Sequence, residues 1–568
     1  MALEQMPMRV YQSSVDYSLT FGLGEVTLID SLEVYWPGGA RQVLLDVSAD
    51  QAVTLRQADA QSYHPAPSVA PKPLFKDISG ELALQYRHVE NDFVDYHREP
   101  LMPRLLSTEG PKMAAGDVNG DGLADLYIGG AKGSAGRLLV QTPTGAFIST
   151  NEALFQQSSI SEDVDAIFFD RDGDGDLDLY VVSGGNEYTR RSPALLDRLY
   201  INDGRGGMSL SKTALPQFYA SGSSVAAADF DGDGDVDLFV GSRSIPWRYG
   251  LTPQSYLLQN DGAGTFSTVT SAWAPELAEV GMVTDAEWFD YDGDGHLDLV
   301  VVGEWMPVTL FRNTGKSLIN ITSEVGLAAT QGWWNRVAVE DMNSDGYLDL
   351  IVGNWGENSR LEASATQPVM IYISDFDRNG LIESIMAHTR AGQTYPMLLR
   401  QPLVNQLPYL KSKILSHADY AGKAMTEIFD KGQLASAVVK QAVVLASTLY
   451  LGSAKGTFSG QPLPTEAQFS PVYAIIARDF DNDGLKDLLL AGNFHGVGPQ
   501  IGRQDASYGT LLKGGGDGTF TPLSIGKSGL ALTGQVRDML SLSYRGGQEI
   551  IIIANNDAPI QVYVTTGK

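Results

Sequence analysis

Seven times this chain writes a nine-residue acidic loop followed at once by an apolar run, and nothing else in the sequence constrains the fold so tightly. The clearest copies read DRDGDGDLD at 170–178, DFDGDGDVD at 229–237, DYDGDGHLD at 290–298 and DFDNDGLKD at 479–487. Oxygen side chains recur at loop positions 1, 3, 5 and 9. Glycine holds position 6, where a sharp turn calls for left-handed backbone. A hard divalent cation such as calcium takes several oxygen ligands, and this alternation can point them inward while the backbone carbonyl of position 7 adds another. An EF-hand shares the opening but needs a bidentate glutamate at position 12 and a helix on each side. Here runs such as LYVV at 179–182 and LVVV at 299–302 follow position 9, so each loop reads as a calcium hairpin between two buried strands.

The complete ligand sets expected are Asp170, Asp172, Asp174 and Asp178; Asp229, Asp231, Asp233 and Asp237; Asp290, Asp292, Asp294 and Asp298; and Asp479, Asp481, Asp483 and Asp487. Thinner sets carry an amide in place of one acid: Asp117, Asn119, Asp121 and Asp125; Asp341, Asn343, Asp345 and Asp349; and Asp375, Asp377, Asn379 and Glu383. The cofactor is then calcium, up to seven ions, bound more weakly where the charge is lower.

Most of these loops recur at roughly 50–60 residues, the length one four-stranded propeller blade requires. Two intervals break the rule. Only a short stretch separates Asp341 from Asp375, which places the second loop inside the same blade, and a long one separates Asp375 from Asp479. The excess, near 390–437, has the apolar spacing of short helices. A last repeat without loop acids is marked by Asp538, which gives an all-β, seven-bladed β-propeller, or eight blades if Asp375 opens one of its own. The final repeat lacks an outermost strand, and LFKDIS at 74–79 supplies one. Ahead of it lie a small β segment, 1–60, and a Pro-rich linker, 61–73, so the propeller spans 74–568.

Composition narrows the function classes. The chain has no cysteine, which removes disulfides, thiolate metal sites and cysteine nucleophiles. A net charge of −28 argues against nucleic acid and anionic membranes as partners. Seven bound dications would cancel about half of it. No apolar run is long enough to insert in a membrane.

The D-x-D-x-D-G-x-x-D loops with their L-x-V-G strands resemble FG-GAP (VCBS) repeats, as in integrin α-chain propellers. The segment FGLG…SLEVYWPGG resembles the end of an ASPIC/UnbV domain, a module found in cartilage-acidic-protein-like proteins and large exported Bacteroidetes proteins. The resemblance implies a portion of a longer chain at the extracellular or outer cell surface, working in recognition or adhesion. The partner expected is a glycan or an extracellular protein.

If the acidic loops share one face, the loops joining second and third strands share the other. That opposite face collects Trp247, Trp305, Trp333, Trp334 and Trp355 with Arg243, Arg248, Arg360 and His495. Flat rings beside planar donors suit sugars, peptides and carboxylates, so this is the expected ligand face. The histidines are scattered, with neither HExxH nor GxSxG, and no catalytic residue is assigned. The alternative function is a calcium-dependent, lyase-like polysaccharide enzyme on the same scaffold, with His495 as its only candidate base.

Overall fold

The computed structural model describes residues 3–6, 14, 16–63, 72–82 and 84–566. They divide into two units, 1–71 and 72–568. Most of the linker, residues 64–71, lies outside the described residues. The first unit is a hairpin of Leu28–Trp36 on Ala40–Ser48, extended by Gln61–Ser62. Its turn uses Gly38 and Gly39 at φ of +91° and +81°, backbone that a side chain would strain.

In the second unit, seven antiparallel sheets follow the repeat, six of four strands and one, at 282–320, joined by Gly332–Trp333 as a fifth. In chain order we number them blades 1 to 7: 113–150, 162–210, 221–268, 282–320, 336–353 with 448–462, 472–523, and 535–565 with Phe75–Asp77. Each first strand packs against the first strand of the next blade, and that of blade 7 returns to that of blade 1, so the contacts run in a cycle. This unit is a β-propeller. The second strands are apolar and almost wholly buried, as in Asp298–Met306, because both of their faces lie between neighbouring blades. Among the described residues no helix is long and apolar enough to cross a membrane.

Blade 7 takes its fourth strand from the other end of the unit. Phe75 faces Thr565, Lys76 faces Val564 and Asp77 faces Tyr563, which pairs an edge that would otherwise be open. Phe75 is buried beside Phe480, with ring centroids 5.3 Å apart.

Two features of the repeat differ from the sequence expectation. The Asp375 loop does not sit within blade 5. It joins Val369–Ser374 to Glu383–Arg390 in an eighth sheet, completed by Gln393–Pro396 and Val438–Ala442 and inserted between the second and third strands of blade 5. The expected short helices follow inside it, from Arg400–Gln406 to Lys431–Ser436, and pack Leu403, Leu407, Leu410, Met425 and Phe429 onto Phe376 and Ile385. Asp538, used to mark the last repeat, belongs to a first strand and not to a loop. Its carboxylate accepts from the Met113 backbone N–H of blade 1 at 3.0 Å. Asp165 does the same for Val225 and Asp285 for Val337, each at 2.9 Å, so these acids tie one blade to the next.

Phe75→Ala should therefore lower unfolding free energy by about 3–5 kcal/mol, the usual cost of truncating a buried aromatic. Urea unfolding measures it, and a loss below about 1 kcal/mol would mean the pairing does not close blade 7.

Candidate metal loops and the opposite face

The seven acidic loops share one construction. The position 1 carboxylate accepts from backbone N–H groups farther round the turn: Asp290 Oδ1 takes Gly293 at 2.8 Å, and Oδ2 takes Gly295 at 3.0 Å. Such bonds need left-handed backbone, and position 6 glycines supply it with φ from +81° to +97°. Position 4 is left-handed as well, a demand the sequence reading missed. Gly120, Gly173, Gly232 and Gly293 meet it freely, whereas Ser344, Arg378 and Asn482 meet it with φ near +60°.

Position 9 acids open the second strands and are buried. They stitch the blade together. Asp125, Asp178, Asp237, Asp298, Asp349 and Asp487 each accept, through Oδ1, a backbone N–H from the third strand at 2.7–2.9 Å. The second oxygen of Asp125, Asp298, Asp349 and Asp487 takes the N–H of loop position 2. Glu383 accepts from Phe376 in the same way.

Carboxylate oxygens of positions 1, 3 and 5 come within 4.8 Å of one another in the loops at Asp170, Asp290 and Asp479. In the loops at Asp229 and Asp375 the groups that converge are positions 1, 3 and 9. A cation is chemically suited to these sites. Buried Asp237 Oδ2, Asp172 Oδ1 and Asp481 Oδ1 have no hydrogen-bond partner, and the donor set is oxygen throughout. Burial pushes Asp125, Asp178, Asp298 and Asp349 up to about 6, and Asp237 to about 7, with neighbouring loop acids adding to the rise. Two loops already hold a cation of their own: Arg171 lies 2.6 Å from Asp172 and 3.1 Å from Asp178, and Lys513 Nζ reaches Asp481 and lies 2.8 Å from Asp483.

The opposite face is organised differently from the expectation. Trp333, Trp334 and Trp355 have no exposed surface and Trp305 is 4 % exposed; only Trp247, at 36 %, meets solvent. Trp305, Trp333 and Trp355 stack edge to face, with centroids 4.9 and 5.1 Å apart, beneath Val369, Ile371 and Ile373 of the inserted sheet. Trp334 lies between blades 4 and 5 and donates to Thr330 O. These four rings are core, and the reason is the insertion: its sheet has an apolar face to bury, and the tryptophan loops are what it meets.

The arginines are also engaged. Buried Arg243 pairs with Glu304 at 2.6 Å and Glu109 at 3.4 Å. Arg104, fully buried on the segment after the closing strand, reaches the same two acids at 3.2 and 2.7 Å and lies 4.2 Å over the Phe494 ring. Met102 and Leu106 of this segment pack with Tyr249, Trp305, Trp355 and Phe494 of blades 3 to 6, so the segment forms a plug across them. Arg248 is half-buried, and exposed Arg360 donates to Gln500 O at 3.4 Å. His495 is half-buried, its imidazole pushed down to about 4 by burial and by Arg503 and Arg537.

Besides a smaller opening of about 260 Å³ at Arg98 and Trp247, the face leaves open a groove of about 560 Å³ between blades 2 and 3, lined by Arg190, Arg191, Tyr219, Pro246 and Tyr256. Both arginines are exposed, as is Tyr219, and Tyr256 stacks on Phe218 at 4.1 Å. The run YTRR at 188–191 was the only sequence signal for it. Because Arg104 neutralises Glu109 and Glu304 out of water, Arg104→Ala should cost about 3–5 kcal/mol, measured as a lower urea midpoint. A change within about 0.5 kcal/mol would mean the plug contributes nothing to stability.

An ASPIC and UnbV family model matches residues 1–62, and an FG-GAP-like repeat model matches 117–181, 170–240, 250–301 and 290–352. Among solved structures, BBS1N in complex with ARL6DN is 9 % identical, covering 87 % of this chain and 98 % of that one at a TM-score of 0.38. The Dos1 propeller is 9 % identical over 84 % and 97 % at 0.35, and YCF48 bound to D1 peptide is 10 % identical over 85 % and 100 % at 0.35. With the repeat, the ring of blades and both family models in hand, residues 117–240 and 250–352 carry FG-GAP-like repeats within a β-propeller, and residues 1–62 match the ASPIC and UnbV family.

Proposed function

We propose that this protein is a calcium-stabilised recognition module of the extracellular or outer cell surface, with the acidic loops as its metal sites and the opposite face as its binding face. The observation that carries the first half is the convergence of carboxylates, with buried oxygens left unpartnered, in a loop that recurs around the ring. Metal removal would leave like charges facing one another at each hairpin. Positions 1, 3 and 5 would hold the ion in the loops at Asp170, Asp290 and Asp479, and positions 1, 3 and 9 in those at Asp229 and Asp375. Arg171 and Lys513 would make the Asp170 and Asp479 loops weaker than the other complete sets.

The second half rests on the groove between blades 2 and 3. Two exposed guanidinium groups beside tyrosines offer a positive, aromatic-lined opening on a chain of net charge −28. That combination suits a partner bearing carboxylates, a glycan or an extracellular protein segment. The reading is of binding rather than turnover, in keeping with propellers of this repeat family, which are generally non-enzymatic. A glycan array run beside an assay for reducing ends and unsaturated products separates it from the lyase-like alternative. Binding without product is expected, and product formation would overturn it. Replacing Arg190 and Arg191 together by Ala should weaken that binding at least tenfold with an unchanged melt; undiminished binding would displace the site from this groove.

For calcium, the expected outcome has a definite pH dependence. A carboxyl raised to 6 or 7 binds its proton more tightly in the folded chain than in the unfolded one. Stability of the metal-free protein is thus greatest near pH 4 and falls as pH rises through 6 to 7. Calcium favours the charged form, so its stabilisation should be larger at pH 8 than at pH 5. Melting curves with calcium and with EDTA at both pH values test this, and an equal shift at the two would remove the loop carboxylates from the account.

A further inference from the structure

The loop at 245–248, which follows the second strand of blade 3, stands between the two openings of the face opposite the acidic loops. Pro246 borders the arginine groove, and Trp247, the next residue, borders the smaller opening. Consecutive Cα atoms are about 3.8 Å apart, so neighbouring rings of one oligomeric ligand can enter both. Taken as one site, the two have the size usual for ligand pockets, roughly 300–1,000 Å³.

Trp247 is fixed in place. Its φ is +68°, a backbone region that bulky residues rarely take. Asn186 Oδ1 accepts its N–H at 3.0 Å, and Arg98 lies 4.7 Å over its ring while donating to the Glu187 carbonyl at 2.8 Å. An indole held this way meets a ligand with little left to order. Around it the polar groups are already spent: Glu99 accepts from the Tyr249 N–H and from Asn186, each at 2.8 Å, Ser384 donates to the Tyr249 carbonyl, and Gln406 donates to Glu383 at 3.2 Å. What the pocket offers is therefore apolar, from Trp247, Leu101, Met102, Ile382 and the exposed Leu381.

The groove supplies the complementary chemistry. Arg190 and Arg191 are exposed beside Tyr219, whereas Pro246 and Pro253 offer no N–H to pair with a peptide backbone. Of the two partner classes, glycan and protein segment, that favours the glycan. Guanidinium groups suit a carboxylate, and an indole among aliphatic side chains suits the C–H face of a sugar and the methyl of an acyl group. We infer that the ligand is an acidic glycan in which a uronate adjoins an N-acetylated amino sugar, the uronate at Arg190 and Arg191 and the acetamido sugar at Trp247. This rests on the arginine groove being the binding site.

Titration calorimetry on the full chain with three tetrasaccharides tests it: hyaluronan, which alternates glucuronate with N-acetylglucosamine; oligogalacturonate, which is acidic without an acetamido group; and chitotetraose, which is acetylated without an acid. Wild type should bind the first about tenfold or more tightly than either of the others. Trp247→Ala should weaken hyaluronan by about the same factor and leave oligogalacturonate within about twofold. Leu381→Asp, which puts a charge into the apolar pocket, should act alike and serves if the alanine variant melts early. Equal binding of the two acidic probes by wild type, or undiminished hyaluronan binding by both folded variants, would overturn the inference alone as long as replacing Arg190 and Arg191 together by Ala still weakens that binding. Binding that survives the double arginine replacement would overturn the groove and the inference together. A folded wild type that binds neither acidic probe would do the same and assign the face to a protein segment.

Discussion

Buried carboxylate charge is the constraint on which the rest of this structure depends. A carboxylate out of water must find N–H donors, a cation or a proton, and the chain meets that demand with a different solution at each radius of the ring. At the loops, position 9 acids take backbone N–H groups of the third strand and so fix each blade internally. Nearer the axis, Asp165, Asp285 and Asp538 take an N–H from the neighbouring blade and fix the blades to one another. At the plugged mouth, Glu109 and Glu304 are answered by Arg104 and Arg243.

Because these acids organise the backbone, the acidic character of the chain is mostly architectural. The loop motif was legible because its chemistry is local: alternating oxygens, a left-handed turn and an apolar strand lie within a dozen residues. Position 9 shows the limit of that reading. As a motif residue it looks only like a metal ligand, whereas its bonds to Gln141, Asn202 or Gly452 come from strands far along the chain. The left-handed demand at position 4 was visible in four glycines and hidden by Ser344, Arg378 and Asn482.

The opposite face was legible in content and not in placement. A tryptophan in a loop between strands carries no mark of whether solvent or another sheet lies over it. The insertion was recognised from the long interval after Asp375, but its strands were not, since a sheet interrupted by helices leaves no regular period. Once that sheet folds back, Val369, Ile371 and Ile373 cover Trp305, Trp333 and Trp355, and an apparent ligand platform becomes core. The opening that survives, beside Arg190 and Arg191, had only two adjacent basic residues to announce it.

The sequence by itself determined the repeat, the strand-to-strand hairpins, the need for a strand from the other end of the propeller, and the oxygen chemistry of the loops. Each rests on short-range pattern, where covalent spacing dictates which groups can meet. Tertiary structure alone decided that an eighth sheet stands apart from the ring, that four tryptophans are buried beneath or between sheets, and that Glu162 and Glu187 both come up against Gly185. Those outcomes depend on which distant surfaces pack together, and packing is set by the whole apolar inventory of the fold rather than by any local spacing.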